Sequence, residues 1–322
     1  MRIPNPLPAI GSRLSRFYAW TGFGEKKLID YVQLIVLPFV LILGGQLVSQ
    51  AVNASAREQA QEQAQEQRLQ EYLDQISSFA LDRELLETDV DASRRVVIRE
   101  VARAQTLTAL EGMDGARKRF VVTFLYELGL INGVDALISL RTSSLVDADL
   151  SGAELFAANL SGARLAEADL SRARLTFALL NSANLSNANL RGALLVDTRL
   201  NQADLRLANL SGVDASNASM FNADLRGADL TDANLAGANL RSADLRGADL
   251  SRANLTGADL TGALIGDDPG EEHMFTDLGD VTWTDTVCPD RTVTSAQAEA
   301  SCASHLVAVE ASAEGGSTLA SE

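Results

Sequence analysis

Residues able to do chemistry are sparse in this sequence, and their placement excludes more than it permits. His273 and His305 are the only histidines, and neither has a partner at the spacing a metal site needs. No glycine-rich phosphate loop follows a strand pattern, and no nucleophile motif is present. A catalytic constellation needs a positioned nucleophile or base. The sequence therefore predicts no catalytic residue, no metal site and no cofactor. Cys288 and Cys302 are the only cysteines. They close one small loop, either as a disulfide in an oxidising compartment or as two unpaired thiols.

Charge narrows the partners. The formal net charge of −16 is not spread evenly. Residues 1–140 carry 15 Lys and Arg against 17 Asp and Glu, residues 141–265 carry 11 against 14, and residues 266–322 carry 1 against 12. The acidity sits at the C-terminal end, and no basic patch of the kind a phosphate backbone demands is present. No nucleic-acid partner is expected.

What must position any functional surface is an internal repeat. From residue 143 the chain reads in fives, with 25 centres from Leu145 to Ile265. Leu fills 22 centres, the exceptions being Ala215, Met220 and Ile265. Ala fills 22 of the positions two residues earlier, failing at Ser143, Thr198 and Val213. The remaining positions are mostly Asp, Asn, Arg, Ser, Thr and Gly.

A period of five fits neither a helix nor a strand. It fits a chain that turns a corner every five residues and sends one large and one small apolar side chain inward each time. Four sides close a coil of 20 residues, so residues 20 apart stack at the strand spacing of about 4.8 Å. The core ladder of one side is then Leu145, Leu165, Leu185, Leu205, Leu225 and Leu245. Gly152, Gly162 and seven further glycines fall at corners, where positive φ is useful. An open coil end exposes core and strand edge, so both ends need caps.

These pentads resemble the A-(D/N)-L-x-x pattern of the pentapeptide-repeat family over about 125 residues, nearly uninterrupted. The resemblance implies an all-β solenoid, a right-handed four-sided β-helix. Some family members regulate a DNA topoisomerase by mimicking duplex DNA, which requires a continuous acidic stripe and a cytoplasmic rod.

Ahead of the repeat, residues 31–48 run without a charge, near the minimum for a membrane span. The span is drawn at 28–52 and expected to be retained, against a cleaved signal peptide or a buried core helix. Arg13, Arg16, Lys26 and Lys27 precede it, while only Arg57 and Arg68 follow at comparable distance. That asymmetry puts the N-terminal segment, residues 1–27, in the cytoplasm and the repeat outside, at the cytoplasmic (inner) membrane.

Residues 53–130 read as a helical neck and N-terminal cap. Leu69, Leu73, Ile76 and Ala80 make one stripe; Val97, Val101 and the Leu107/Leu110 pair mark a second helix. A third starts near Asp114, with Phe120, Val121, Phe124, Leu125 and Leu128 before Gly129. Arg117, Lys118 and Arg119 read as a solvated turn. This neck resembles one found between a membrane segment and pentapeptide repeats in a group of bacterial proteins.

The β-helix is drawn at 131–265, a C-terminal cap with a Cys loop at 266–307 and a disordered acidic tail at 308–322. The segment WTDTVCPDRT is similar to a W-P-D-G-x-x-C-P-D-G-T loop of some exported pentapeptide-repeat proteins. Trp283 and Cys288-Pro289-Asp290 match, while the glycines are lost.

Placing the pentads on four sides gives a surface map. Asp204, Asp224 and Asp244 stack beside Arg206, Arg226 and Arg246, a charge-balanced ladder. Phe156, Phe177, Leu194 and Val196 gather outside the core on three successive coils, and outward apolar clusters mark contacts. The sequence thus predicts a non-enzymatic, membrane-anchored protein-interaction or scaffold module. Its partner is an unidentified protein, its own neck or a second copy, as in a self-associating envelope protein; topoisomerase regulation by DNA mimicry is the alternative.

Overall fold

The five-residue period is realised as a coil with four sides. The computed structural model describes residues 37–81, 92–266, 276–291 and Cys302. Each residue before a centre pairs in parallel with the residue 20 positions on, from Ser144↔Arg164 to Asp244↔Leu264. Among the described residues the sides are single-residue bridges rather than extended strands.

One pentad shows the bonding. Leu185 N–H donates forward to Asp204 O at 2.7 Å, Asn184 N–H donates back to Ala163 O at 3.0 Å, and Ala188 N–H closes the turn on Leu185 O at 3.0 Å. From Thr142 to Gly262 the second residue after each centre has positive φ, as a type II turn demands. Of these corner residues from Thr142 to Gly262, nine are glycine and sixteen are not. Phe177 (φ 60°) and Leu207 (φ 57°) are the two large apolar ones, held in a conformation that costs an L-residue about 1 kcal/mol or more.

All six side chains of the ladder from Leu145 to Leu245 are fully buried, as are nearly all the intervening alanines. The interruption at Val213 and Ala215 stays buried too, because a larger and a smaller residue exchange places. Thr198, in a small inward position, keeps its hydroxyl satisfied by donating to Leu175 O at 2.7 Å.

The coil does not end at residue 265. It resumes at Asp277, which pairs with Asp249; Thr282 pairs with Asn254 and Val287 with Asp259. The offset is now 28 rather than 20, and the register is otherwise kept. Leu278, Trp283 and Cys288 take the inward centres, and Asp280 and Asp285 take the positive-φ corners. The boundary drawn at 265/266 is therefore corrected. Within the range drawn as the cap, residues 276–291 form three further sides of the coil, with different residues in the inward places.

Three described helices precede the coil: α1 (Leu37–Leu81), α2 (Ala92–Glu111) and α3 (Gly115–Glu127). The chain divides into two compact units at Ala64/Gln65. In the first, residues 56–64 are exposed on every side of α1, as expected for a Gln/Glu-rich helix with no apolar stripe. The expected span at 28–52 falls partly outside the described residues, which begin at Leu37. No helix among the described residues is long and apolar enough to cross a membrane. Residues 1–27 and 308–322 also lie outside them.

In the second unit α1 continues and packs on α2 through Leu69, Tyr72 and Ile76 against Ile98, Ala102, Ala109 and Leu110. The Tyr72 hydroxyl bonds Thr106 Oγ1 at 3.0 Å, and burial pushes the phenol's pKa up. Val97 and Val101, expected inside, are exposed, and so are Phe120 and Leu128 of α3. The buried face of α2 is instead its alanine-rich one, which lets the helices approach closely.

Helix α3 is the N-terminal plug. Asp114 caps it by accepting from Arg117 N–H at 2.9 Å, and Val121, Val122 and Leu125 bury completely. Gly115 O accepts the Asp149 N–H of the first coil at 3.2 Å. A side chain at Gly115 would put its Cβ 2.4 Å from Asp147 O, so only glycine permits this approach. Residues 131–133 cover another stretch of edge, running antiparallel to 157–159.

The basic run is not a solvated turn. Lys118 is buried and donates to Val146 O at 2.6 Å, and its burial lowers the pKa against the pull of Asp147 and Asp114. Arg119 reaches Asp149 and Ser151. Arg117 binds Asp114, Gln65 and Glu66. An unpaired coil edge presents carbonyls and carboxylates, and cations are what it attracts.

Candidate interaction face

With the interior fixed by the repeat, the outward positions decide what the coil presents. The side bearing Leu155, Leu175 and Leu195 is distinctive on its first three coils. At its far corner stand Phe156 and Phe177, about half exposed, with Val196 half-buried one coil on. The two rings meet edge to face, centroids 5.6 Å apart and planes at 75°. That arrangement suits aromatic quadrupoles and leaves flat apolar surface outside. Leu194, 36% exposed, stands on the side itself. Val134, Ala157, Phe177 and Leu179 line a groove along the same corner together with the charged Asp197 and Arg199. Of the four side chains singled out in the sequence, Phe156 and Phe177 touch, Val134 shares a groove with Phe177, and Leu194 and Val196 stand on the next coil of the same side.

The charged ladder behaves differently. Arg206, Arg226 and Arg246 each grip their own Asp204, Asp224 and Asp244 through Nε and Nη2, at 2.5–2.9 Å. Arg206 and Arg226 also approach the Asp of the next coil at 3.7 Å. For Asp224, partial burial would raise the pKa, but the bonds from Arg226 outweigh it and hold the carboxyl below its ordinary value. On this side the carboxylates are neutralised one by one.

Cys288 and Cys302 are bonded, Cα to Cα 5.3 Å, and both are fully buried. Cys288 sits where Leu would stand in the last turn, so the bond lies over the end of the apolar interior. Thr276 and Thr286 donate to Leu245 O at 2.9 Å and Leu255 O at 2.7 Å, taking up carbonyls of the coil beneath. Among the described residues no group of His, Cys, Asp or Glu could hold a metal ion.

Two features escaped the sequence reading. The continuation TDLGD-VTWTD-TVCPD keeps the five-residue step, with Asp two places after each centre; Trp and Cys in place of Leu hid it. The other is Arg172 and Arg191 on the near corner of the same side. Their signal was the absence of any acidic residue one turn away that could pair with both.

A family model described as pentapeptide repeats matches residues 139–172, 148–187, 158–195, 188–227 and 223–262. Such repeats imply a right-handed quadrilateral β-helix. No curated protein matches the chain. Among solved structures, the chain is similar to a pentapeptide repeat protein, Rfr23, from the cyanobacterium Cyanothece 51142. The identity is 29%, over 36% of this chain and 64% of that one, with a TM-score of 0.24. It is similar also to HetL, a pentapeptide repeat protein involved in heterocyst differentiation regulation from the cyanobacterium Nostoc sp. strain PCC 7120. There the identity is 30% over 54% of this chain and 98% of that one, with a TM-score of 0.19. QnrB1, a plasmid-mediated fluoroquinolone resistance protein, matches at 21% identity over 44% and 82%, with a TM-score of 0.26.

Proposed function

The chain belongs to the pentapeptide-repeat family, and from that premise we propose that it is a non-enzymatic interaction or scaffold module. Its contact surface is the side formed by the first three coils. The observation that carries this is the exposed Phe156–Phe177 pair, whose rings meet edge to face on adjacent coils, whereas Leu207, Phe221 and Leu264 are exposed on other sides with no such ring contact among the described residues. An aromatic held at positive φ costs stability and fills no core position, so its retention argues for a contact. Mimicry of duplex DNA needs uncompensated carboxylates in a continuous line, and the Asp204–Asp244 ladder is compensated at each step.

A photoreactive phenylalanine analogue placed at Phe156 in cells should cross-link into a discrete higher species. The same analogue at Ala236, on the same corner four coils further from the cap, should not. Equal cross-linking from both positions would sink the proposal.

In the same reading the rod is carried behind one membrane-spanning helix near residues 28–52, with the N-terminus in the cytoplasm. The uncharged run 31–48 and the Lys/Arg bias before it support this, and a structural disulfide suits an oxidising compartment. The expected result is resistance to alkaline extraction, with the rod open to protease in spheroplasts. Recovery of a soluble species beginning near Val52 would establish a cleaved leader instead.

A further inference from the structure

The contact side has a second edge, opposite the phenylalanines, and its chemistry is basic. Three extended residues separate the two corners, about 10 Å at 3.3 Å per residue. On the near corner stand Ser151 and Gly152, then Ser171 and Arg172, then Arg191 and Gly192, on three successive coils. They line a groove of about 640 Å³ with Asp169 and Asn189, where the one carboxylate, Asp169, is engaged by the Ser171 N–H and by Asn189 Nδ2. Arg172 N–H donates to Arg191 O at 3.0 Å, so the two arginines are immediate neighbours across the ladder. The Arg172 side chain runs over Gly192, its Cγ 3.9 Å from where a Cβ would stand there.

Among the described residues four arginines between residues 141 and 265 lack an ion-pair partner, Arg141, Arg172, Arg191 and Arg199, and of these Arg172 and Arg191 lie side by side on adjacent coils. Arg164, Arg174, Arg206, Arg226, Arg241, Arg246 and Arg252 of the coil each have one. The Ser171 N–H caps Asp169 at 2.9 Å, but its hydroxyl takes no part, unlike those of Ser151, Thr231 and Thr261. Two like charges on adjacent coils repel. Nothing in the fold requires them: the same corner carries Gly212 and Asp232 further along, with the same backbone bonds.

We propose that this side docks an acidic peptide segment of a partner protein. Apolar side chains of the peptide sit on Phe156, Phe177 and Leu194, and its carboxylates reach Arg172 and Arg191. The proposal rests on the reading of the rod as an interaction module and gives the partner a chemistry. Carboxylates match the planar donor fork of arginine and would relieve the repulsion between the two. A second copy of the rod is a poorer match, because the carboxylates of its Asp204–Asp244 ladder are already engaged by arginine.

The test uses the full chain and three short fluorescent peptides. All share the same Leu and Phe positions, with Glu and Asp, Gln and Asn, or Lys between them. By anisotropy at low salt the acidic peptide should bind about tenfold tighter than the amide one and lose that advantage at high salt. The Lys peptide should bind weakest. R172E/R191E should invert the order of the acidic and Lys peptides, and F156S/F177S should weaken all three. Both double variants lie outside the core, so unchanged melting confirms that they fold.

Equal affinity for the three peptides, or no binding of the acidic one, overturns the proposal. If F156S/F177S abolishes binding while R172E/R191E leaves the order unchanged, the contact surface stands and its acidic specificity falls. If neither double variant changes binding, both fall. Self-association in sedimentation that F156S/F177S removes would make a second copy the occupant and overturn the peptide.

Discussion

Between Thr142 and Gln202, three of the thirteen corner positions are glycine; between Leu207 and Gly262, six of the twelve are. The later coils also hold every one of their five arginines on a carboxylate, from Arg206 to Arg252. The earlier coils leave Arg172, Arg191 and Arg199 without an ion pair among the described residues and bring Phe156 and Phe177 into ring contact, while the later coils expose Leu207 and Phe221 singly. Yet the interior is the same throughout, Leu and Ala stacked and dry. Because the repeat fixes the inward residues and the ladder alone, the outward ones are released from fold-making, and a departure from the quiet pattern reads as function rather than stability.

If the interiors really are equivalent, the same injury should do equal harm in each half. Leu165→Asp and Leu225→Asp should both abolish cooperative melting, since a buried unpaired carboxylate costs several kcal/mol. Ser186→Asp, facing out, should hardly matter. A native-like melt for either Leu variant, or a half that unfolds alone, would break the comparison.

The two ends should differ in how they are closed. Reducing the Cys288–Cys302 bond should cost about 3 kcal/mol, as expected for a closed loop of this size, and speed amide exchange in the last turns only. Gly115→Ala should cost about 2 kcal/mol by forcing α3 off the first coil, with faster exchange at Asp149 N–H. Exchange spreading evenly along the coil in either case would show that the ends are not separate closures.

The smallest effect addresses the corners. Leu207→Asn should raise stability by about 0.5–1 kcal/mol, because asparagine tolerates positive φ better, while Gly237→Leu should lower it by a similar amount. Opposite signs would mean that the corner strain is relieved by packing outside the side chains described.

The coil was legible because one rule, a large and a small apolar residue every five, sets period, interior and corner at once. The Val213/Ala215 exchange obeys the same rule, since both stay buried. The final turn was missed because Trp283 and Cys288 replace Leu and Thr276 and Thr286 replace Ala, so composition changed while spacing did not. The helices were less legible. Val97, Val101, Phe120 and Leu128 are apolar but exposed, since α2 turns alanines inward and α3 presents a short face to a coil end rather than to a partner helix. Lys118 could not be read as buried from a run of three basic residues; only the carbonyl of Val146 makes sense of it. The sequence left Cys288 and Cys302 as either a disulfide or two thiols, which the structure decides, and the register placed the four apolar residues outside the core; the Arg172–Arg191 pair needed the third dimension to show what surrounds it.

The hydrogen bonds between coils lie along the axis of the rod, and this governs how it answers a pull. A load applied along that axis meets each coil's few bonds in turn instead of shearing many together. The coils should peel singly, each 20-residue turn paying out up to about 70 Å of extended chain. Fixed at one end and drawn on at the other, such a rod lengthens in equal steps from whichever closure yields first, and its extension counts the turns already surrendered.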